Sequence, residues 1–474
     1  MPSRPPIISP IFAAILAAIA FLALAPPSRA EWRTFVYRGR TYVYAEDVAA
    51  FYRMKYARDG KALRFSTEGL EIKAVIGSKE LWINGTKFYL SYPVVTMQAG
   101  PVISAFDLSH LIDAVIRPST RRRPIELKRV IIDAAHGGTD PGREAQGEKE
   151  KDLTLAIAKA LAERVRQMGL EPVLVRDADL YLDPADRAAL ANVGDEGACL
   201  ISIDLNYSES KSSSGIETYA LPPSGTPATY DDDGAKVDRQ IYLGNVSDAE
   251  NIALATSVHS SVAASTKMDD LGIKRARFPL LKRVNVPAIL LRPGFMSHPA
   301  EGEKLADPAF HDQIAAAVAA GIGRFAKAMR RGSLQPPKQA LKIADATGAP
   351  TADGVKAELA IEVVGGAAID PAKVDLQVFG FDLVNGEQID LTYADPPAIT
   401  WKSVLPDWKA TPKELLDFQF KLPTPDQKLV EDFGSRRFFG YVVRLIYDGE
   451  LQDMTASQPN LDRGLHHFAP AFPR

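Results

Sequence analysis

The chain has very little cysteine, almost no net charge and only one long hydrophobic run. Cys199 is the single cysteine among 474 residues, so no intrachain disulfide can form, and its apolar surroundings predict a buried thiol. The 56 Lys and Arg residues nearly balance 59 Asp and Glu residues, which leaves a net charge of −3. This balance gives no electrostatic case for a nucleic-acid partner. The composition, 46% hydrophobic and 24% charged, is that of a soluble globular protein with two or three domains.

The hydrophobic run covers Ile11–Ala25 and is preceded by Arg4. It is followed by small residues at Ser28 and Ala30, so the sequence predicts a signal peptide over residues 1–30, cut after Ala30. The run is shorter than the roughly 20 residues of a membrane-spanning helix. We therefore expect an exported protein, in the periplasm or outside the cell, with no membrane anchor once the signal is removed.

Residues 31–117 contain short aromatic and β-branched runs, such as TFVYRGRTYVYA and ELWINGTKFYLSYPVV, separated by Arg-Gly and Asn-Gly turn pairs. This pattern predicts a small β-rich domain made of hairpins. The region resembles the non-catalytic domain at the N-terminus of copper amine oxidases. The residues that follow, 118–127, are rich in Pro and Arg and are predicted as a linker.

Residues 128–330 alternate apolar strand runs, such as RVIIDAA, CLISI and PAILL, with helical patterns. The alternation predicts an α/β domain with a mostly parallel sheet and helices on both faces. Ligands of such sheets bind at the carboxyl ends of the strands.

A second linker is predicted over residues 331–354, which are rich in Pro, Gly and Ala. Beyond it, residues 355–474 alternate apolar and polar side chains with period two. The pairs Asn385-Gly386 and Asp448-Gly449 are predicted hairpin turns. We expect a C-terminal β-sandwich of immunoglobulin-like type.

Four polar residues stand at the strand ends of the central domain. His136 follows RVIIDAA, Asp204 follows CLISI, Arg292 ends the strand that contains PAILL, and Glu150 opens a helix. Because the carboxyl ends of parallel strands meet at one edge of a sheet, we expect these four side chains to converge there.

Six ordered segments carry a specific resemblance: IIDAAHGGTDPG, EKDLTLAIAKAL, VRDADLYLDPADRAALAN, SIDLN, GIETYAL and PAILLRPGFMSHPAE. They are similar to the N-acetylmuramoyl-L-alanine amidases of the zinc-dependent type 3 family. The resemblance implies an α/β fold and a zinc ion held by His, Glu and His, with water in the fourth position. A further glutamate acts on that water and on the leaving amine. The reaction implied is cleavage of the amide between N-acetylmuramic acid and the first alanine of the peptidoglycan stem peptide.

Two of the four family positions are changed in this chain. His136 and Glu150 match the first two metal ligands. Asp204 stands in SIDLN where the family motif, SIHAN, has its second histidine, and Arg292 stands before PGF where the family has its catalytic glutamate.

These changes bear on metal binding and on catalysis. A carboxylate can ligate zinc, so Asp204 alone need not remove the metal. Arg292 cannot act as a base, because its guanidinium stays protonated, and loss of a general acid–base group costs about 10²–10⁴ in rate. Its charge also opposes a second cation, so we expect no cofactor, with zinc bound only in the active alternative. A guanidinium could instead bridge the carboxylates.

The sequence leaves three functions open. The first is a cell-envelope protein with a degenerate amidase domain that binds peptidoglycan or an envelope protein. The second is an active zinc-dependent amidase that remodels peptidoglycan, for which His298 is the nearest candidate for a replacement ligand. The third is an envelope adaptor in which the C-terminal sandwich binds the partner.

Overall fold

The structure, a computed structural model, describes most of the chain from residue 33 onward. The described residues are 33–117, 126–192, 197–231, 237–330, 339–351, 354–392, 394, 397–402, 408, 412–422, 430, 434–458 and 461. The signal peptide predicted over residues 1–30 lies outside them. No helix within these ranges combines the length and the hydropathy that crossing a membrane requires.

The N-terminal region consists of short strands joined by tight turns, as the sequence predicts. Its elements are β1 (Thr34–Tyr37), β2 (Arg40–Tyr44), α1 (Ala45–Phe51), β3 (Lys55–Asp59), β4 (Ala62–Ser66), β5 (Glu71–Val75), β6 (Glu80–Ile83), β7 (Thr86–Tyr89), β8 (Val95–Met97), β9 (Gly100–Ser104), α2 (Ala105–Asp107), a π-helical turn (Leu108–Ile112) and α3 (Asp113–Ile116). Strands β1, β2, β9 and β8 form one sheet, and β3 to β7 form an antiparallel meander. Asn84 and Gly85, at φ 48° and 81°, make the predicted Asn-Gly turn between β6 and β7.

The central region has the predicted α/β architecture. Its elements are β10 (Arg129–Ala134), β11 (Glu144–Ala145), β12 (Glu148–Lys149), α4 (Glu150–Gln167), β13 (Glu171–Leu174), α5 (Pro184–Ala191), β14 (Ala198–Ile203), β15 (Ile216–Ala220), a 3₁₀ turn (Leu243–Ser247), α6 (Asp248–Thr266), β16 (Asp270–Arg275), α7 (Pro279–Arg283), β17 (Ala288–Arg292), α8 (Pro299–Ala306) and α9 (Pro308–Arg330). Strands β13, β10, β14 and β17 are parallel neighbours, while β15 runs antiparallel to β17. Helices α4, α6 and α9 cover one face of the sheet, and α5 and α7 pack on the other.

The central sheet continues into the N-terminal region. Ile273 of β16 pairs with Phe88 of β7, which joins the meander to the central strands in one sheet of 11 strands, ordered β13-β10-β14-β17-β15-β16-β7-β6-β5-β4-β3. The Asp270 carboxylate accepts a hydrogen bond of 3.0 Å from the Lys87 backbone N–H at this junction. The two regions that the sequence separates by a linker at 118–127 therefore share one sheet.

The C-terminal region is a pair of four-stranded antiparallel sheets. Its elements are β18 (Leu341–Thr351), β19 (Gly354–Val363), a 3₁₀ turn (Pro371–Lys373), β20 (Val374–Val384), β21 (Gln388–Leu391), β22 (Ile399–Trp401), β23 (Lys413–Lys421), β24 (Arg436–Tyr447) and β25 (Glu450–Ala456). The sheets have the orders β18-β19-β23-β22 and β21-β20-β24-β25 and pack around a common apolar core. Asn385-Gly386 and Asp448-Gly449 make the predicted hairpin turns, all four residues at φ between 50° and 77°.

The predicted linker at 331–354 is wrong for its second half. Residues Leu341–Thr351 form β18, which pairs with β19 at the edge of its sheet. The small residues and Pro350 that suggested a linker are tolerated there, because an edge strand has one side free of ladder hydrogen bonds.

Candidate functional site

The four side chains predicted to converge do meet at the carboxyl edge of the central sheet. His136 lies just beyond β10, Asp204 directly follows β14, Arg292 ends β17, and Glu150 is the first residue of α4. The His136 Nε2 atom lies 3.3 Å from Glu150 Oε2 and 3.7 Å from Asp204 Oδ1. These three residues place one donor atom each within 4.8 Å of one another. We call these four residues the strand-end cluster.

The backbone at His136 has an unusual conformation that its neighbours allow. His136 has φ 62°, and it is followed by Gly137 at 130° and Gly138 at 57°. A Cβ atom on Gly137 would collide with the carbonyl oxygen of Leu180. Only glycine fits there without strain, so the Gly-Gly pair fixes the turn that presents the imidazole.

Two buried arginines stabilise this turn by hydrogen bonds to its backbone carbonyl groups. The Arg176 guanidinium donates to the carbonyl oxygens of Ala134 and Ala135 at 2.9 and 3.0 Å. The Arg187 guanidinium donates to the His136 carbonyl oxygen and to the buried Asp133 carboxylate, both at 2.6 Å. These contacts were not predicted from the sequence. The two arginines stand out there only as a single arginine after an apolar strand and another arginine in an alanine-rich helix.

Glu150 is fixed by backbone donors. Its side chain is only 2% exposed. Oε1 accepts a hydrogen bond of 2.9 Å from the Leu205 N–H, and Oε2 accepts one of 2.9 Å from the Arg143 N–H. The carboxylate therefore has a set orientation toward His136.

Arg292 pairs with Asp204. Its Nε and Nη2 atoms lie 2.8 and 2.7 Å from Asp204 Oδ2, and Nη1 donates to Asn206 Oδ1 at 3.3 Å. These are all the hydrogen bonds that the described residues make with the guanidinium, so it does not bridge Asp204 and Glu150 as the sequence analysis allowed. His136 takes that position, because its Nε2 atom faces both carboxylates.

Charge pairing sets the ionisation of the cluster. Burial alone would lower the pKa of His136, but the attraction of the nearby Asp204 and Glu150 carboxylates outweighs it and raises the pKa to about 10. Burial opposes ionisation of Asp204, yet its pairing with His136 and the charge of Arg292 hold its pKa well below the usual range. Burial raises the pKa of Glu150. At neutral pH the imidazolium and the guanidinium therefore face an ionised Asp204.

The spacing of the donor atoms fits a metal ion. Ligands arranged tetrahedrally at about 2.0–2.1 Å from one zinc ion lie about 3.3 Å apart, close to the 3.3 and 3.7 Å separations around His136 Nε2. His136 Nδ1 lies 2.7 Å from Asp140 Oδ2, which is the outer support that usually orients a ligating imidazole. The charge of Arg292 beside Asp204 is the feature that fits a dication poorly.

His298 is not part of the strand-end cluster, contrary to its proposed place as a replacement ligand. Its ring nitrogen Nδ1 accepts a hydrogen bond of 3.2 Å from the Glu301 N–H, where it caps the N-terminus of α8. The convergent donor group among the described residues is His136, Glu150 and Asp204, without a second histidine.

Comparisons with known proteins cover the central region. The sequence model of the N-acetylmuramoyl-L-alanine amidase family (Amidase_3) matches residues 130–324, which include all four residues of the strand-end cluster. The chain is 30% identical over 199 residues to the sporulation-specific N-acetylmuramoyl-L-alanine amidase of Bacillus subtilis (strain 168), covering 41% of this chain and 67% of that protein.

Two further proteins match the same region. An uncharacterized protein of Bacillus subtilis (strain 168), YqiI, is 28% identical over 202 residues, covering 43% of this chain and 86% of that protein. The crystal structure of an N-acetylmuramoyl-L-alanine amidase from Clostridium difficile 630 is 31% identical, with a TM-score of 0.35, covering 42% of this chain and 97% of that one. Through its central domain, this chain belongs to the type 3 family of N-acetylmuramoyl-L-alanine amidases.

Proposed function

We propose that the protein is an exported cell-envelope protein whose amidase-type domain binds peptidoglycan at the strand-end cluster and does not cleave it. The observation that carries the proposal is Arg292. It ends β17 where the family resemblance implies the catalytic glutamate, and its guanidinium is bound to Asp204. A domain that keeps the fold of the family but lacks the catalytic glutamate is suited to binding peptidoglycan without hydrolysing it.

Hydrolysis of an amide requires a base to take a proton from water and an acid to protonate the leaving amine. Both oxygens of Glu150 accept backbone N–H bonds, and Asp204 Oδ2 is occupied by Arg292. The guanidinium itself cannot accept a proton at any working pH. The carboxylates of the cluster are thus engaged by backbone donors and by Arg292, and position 292 itself offers no base.

Zinc, if bound, would be held by His136, Glu150 and Asp204 and would act as a Lewis acid toward an amide carbonyl. Arg292 counters this arrangement, because its charge lies against one of the three ligands. The four residues of the strand-end cluster can hold and orient an amide group, and Arg292 cannot supply the base that the family resemblance implies at its position.

The mouth of the site offers binding groups. The His136 and Arg292 side chains are 28% and 25% exposed, so the cluster opens to solvent. Arg143 stacks on the exposed ring of Tyr207 at 5.2 Å. Exposed Tyr181 belongs to the loop that packs on the Gly137-Gly138 turn. Aromatic and cationic groups of this kind suit an amino sugar joined to a peptide that carries carboxylates.

The second candidate is an active zinc-dependent amidase, and the spacing of the three donor atoms favours it. The two functions make different predictions for peptidoglycan. A binding protein co-sediments with it and leaves the stem peptides attached, whereas an amidase releases them.

The direct test is co-sedimentation with purified peptidoglycan sacculi, with Tyr207→Ala as the site variant and Leu391→Ala as the control. Leu391 is an exposed residue of β21 in the C-terminal region. We expect the wild type and the control to sediment equally and Tyr207→Ala to bind several-fold more weakly. Equal binding by all three proteins, or none by the wild type, would overturn the proposal and favour binding through the C-terminal sandwich or a different partner.

A further inference from the structure

A row of alternating cations and aromatic rings crosses the sheet that joins the two regions. It begins at Arg292 of the strand-end cluster and crosses five adjacent strands, β17, β15, β16, β7 and β6. The row consists of Arg292, Tyr219, Lys274, Tyr89, Lys87 and Trp82. We call it the cation–aromatic row.

Each member of the row contacts the next. The Arg292 guanidinium lies 5.5 Å from the Tyr219 ring centre, and Lys274 Nζ lies 6.0 Å from the same ring. Lys274 Nζ is also 5.7 Å from the Tyr89 ring. Lys87 Nζ then lies 5.2 Å from Tyr89 and 5.7 Å from Trp82. These separations are within the range of cation–π attraction, so the rings are held in fixed positions.

Strand register places the row on one face of the sheet. Tyr219 pairs with Lys274, and Trp82 pairs with Lys87, so both pairs point to the same side of their strands. The Tyr89 ring lies against Gly272, where a Cβ atom would stand 2.9 Å from the ring carbon Cε2. The missing side chain lets the ring lie close to the backbone of β16.

Tyr230 adds an exposed ring to this face. Its ring centre is 4.9 Å from Lys274 Nζ, and its hydroxyl accepts a hydrogen bond from that ammonium group. The residue is nevertheless 69% exposed. The half-exposed rings of Tyr89 and Trp82 extend the accessible aromatic surface along the sheet.

Each cation of the row forms an ion pair with a neighbouring carboxylate. Lys274 pairs with the buried Glu217, and Lys87 pairs with Glu80. Arg292 pairs with Asp204. Tyr219 and Lys274 are buried, so the accessible surface of the row consists of the Tyr230 ring and the partly exposed rings of Tyr89 and Trp82. This surface carries little net charge, which suits a neutral ligand and does not suit a polyanion.

We propose that the accessible rings of the cation–aromatic row and its neighbour, Tyr230, Tyr89 and Trp82, bind the glycan chain of peptidoglycan. The inference rests on the proposed function, because the row is continuous with the strand-end cluster at Arg292, where the peptide-bearing amide would lie. Pyranose rings present C–H groups that stack on the faces of aromatic rings, in the way that positive ring edges meet aromatic faces. The accessible rings lie over three adjacent strands, with Tyr230 against Lys274 of β16, Tyr89 on β7 and Trp82 on β6. At about 4.8 Å per strand they span about 10 Å, a length on the scale of two linked sugars.

A purely structural role is the competing explanation, since the row also fastens β7 to β16. The test therefore uses a peptide-free sugar. Chitotetraose, a β-1,4-linked tetramer of N-acetylglucosamine, is titrated into the full chain by isothermal calorimetry. The variants are Tyr230→Ala, Tyr230→Phe and Trp82→Ala, with Leu391→Ala as the matched control and thermal melting as the check on folding.

We expect Tyr230→Ala and Trp82→Ala to weaken chitotetraose binding about five- to tenfold, as loss of one stacked ring predicts. Tyr230→Phe keeps the ring and loses the hydroxyl bond to Lys274, so its affinity should match the wild type. If Trp82→Ala unfolds at a lower temperature than the wild type, the test depends on the comparison of Tyr230→Ala with Tyr230→Phe alone. Equal affinity in Tyr230→Ala and the wild type, or an equal loss in Tyr230→Phe, would overturn the inference.

The sacculi assay separates this inference from the proposed function. No chitotetraose binding by the wild type, with sacculi binding retained, would overturn the inference and leave the proposed function standing. Chitotetraose binding without Tyr207-dependent binding to sacculi would overturn the proposed function instead.

Discussion

The two halves of the strand-end cluster are built differently. The half around His136 and Glu150 is held by backbone geometry, by two buried guanidiniums and by backbone N–H donors. The half around Asp204 and Arg292 is a side-chain ion pair with one further bond to Asn206. The surrounding fold supports the first half, whereas the second half depends on two side chains. Under the proposed function, Arg292 stands in place of a catalytic group while the scaffold around it persists.

The largest expected effect is a loss of stability in the half of the cluster around His136 and Glu150. Replacing Arg187 by methionine leaves Asp133 buried without its cation, and loss of one partner of a buried pair costs about 3–5 kcal/mol. We expect the free energy of unfolding in urea to fall by that amount. Arg166→Met is the control, because the exposed Arg166–Glu163 pair should contribute nothing measurable. A small loss in Arg187→Met would show that the frame does not depend on its buried guanidiniums.

The next largest effect is expected in the half of the cluster around Asp204 and Arg292. The double change Asp204→His with Arg292→Glu restores two histidines, a ligand carboxylate and a base. We expect this variant to release stem peptides from peptidoglycan about 10²–10⁴ times faster than the enzyme-free blank. Neither single change should suffice, because Asp204→His leaves the Arg292 cation in place and Arg292→Glu crowds three carboxylates without the second histidine. Activity in either single variant would contradict the coupling of the two positions.

The Gly-Gly turn allows a comparison of two glycines. Gly137→Ala places a methyl group against the Leu180 carbonyl at φ 130°, so we expect a loss of about 1–3 kcal/mol. Gly147 has a similar positive φ of 86° with no atom within 4 Å of an added Cβ. Gly147→Ala should therefore lose less stability than Gly137→Ala in the same melts. Equal losses would show that the φ angle, and not the collision at the site, sets the cost.

The smallest effect is on metal affinity. Arg292→Gln removes the charge beside Asp204 and keeps a polar side chain. Because a nearby cation opposes a dication, zinc affinity measured by competition with a chromogenic chelator should rise about tenfold or more. Arg143→Gln, whose charge lies over the Tyr207 ring, is the control and should change the affinity little. Equal zinc affinity in Arg292→Gln and the wild type would contradict the idea that the charge of Arg292 opposes zinc binding.

Much of the fold was predictable because local signals agree with it. Positive φ at Asn385-Gly386 and Asp448-Gly449 requires such residues, and the apolar runs RVIIDAA and CLISI read directly as buried parallel strands. Convergence of His136, Glu150, Asp204 and Arg292 followed from the shared edge of those strands.

What escaped prediction depends on pairing between distant segments. The junction of β7 and β16 rests on Phe88 and Ile273, which are far apart in sequence and give no local signal. Strand β18 lies at an edge, where weak strand formers are tolerated. The hydrogen bonds of Arg292 to Asp204 and Asn206, and not to Glu150, were also hidden, because chain order does not show which way a long side chain turns.

The central claim is that this family member does not hydrolyse its ligand. The most direct measurement is chromatography of the soluble products after the wild type, supplied with zinc, is incubated with purified peptidoglycan, beside the Asp204→His, Arg292→Glu double variant. The account predicts no stem peptides above the enzyme-free blank for the wild type and clear release by the double variant. Stem-peptide release by the wild type at a rate comparable to the double variant would contradict it.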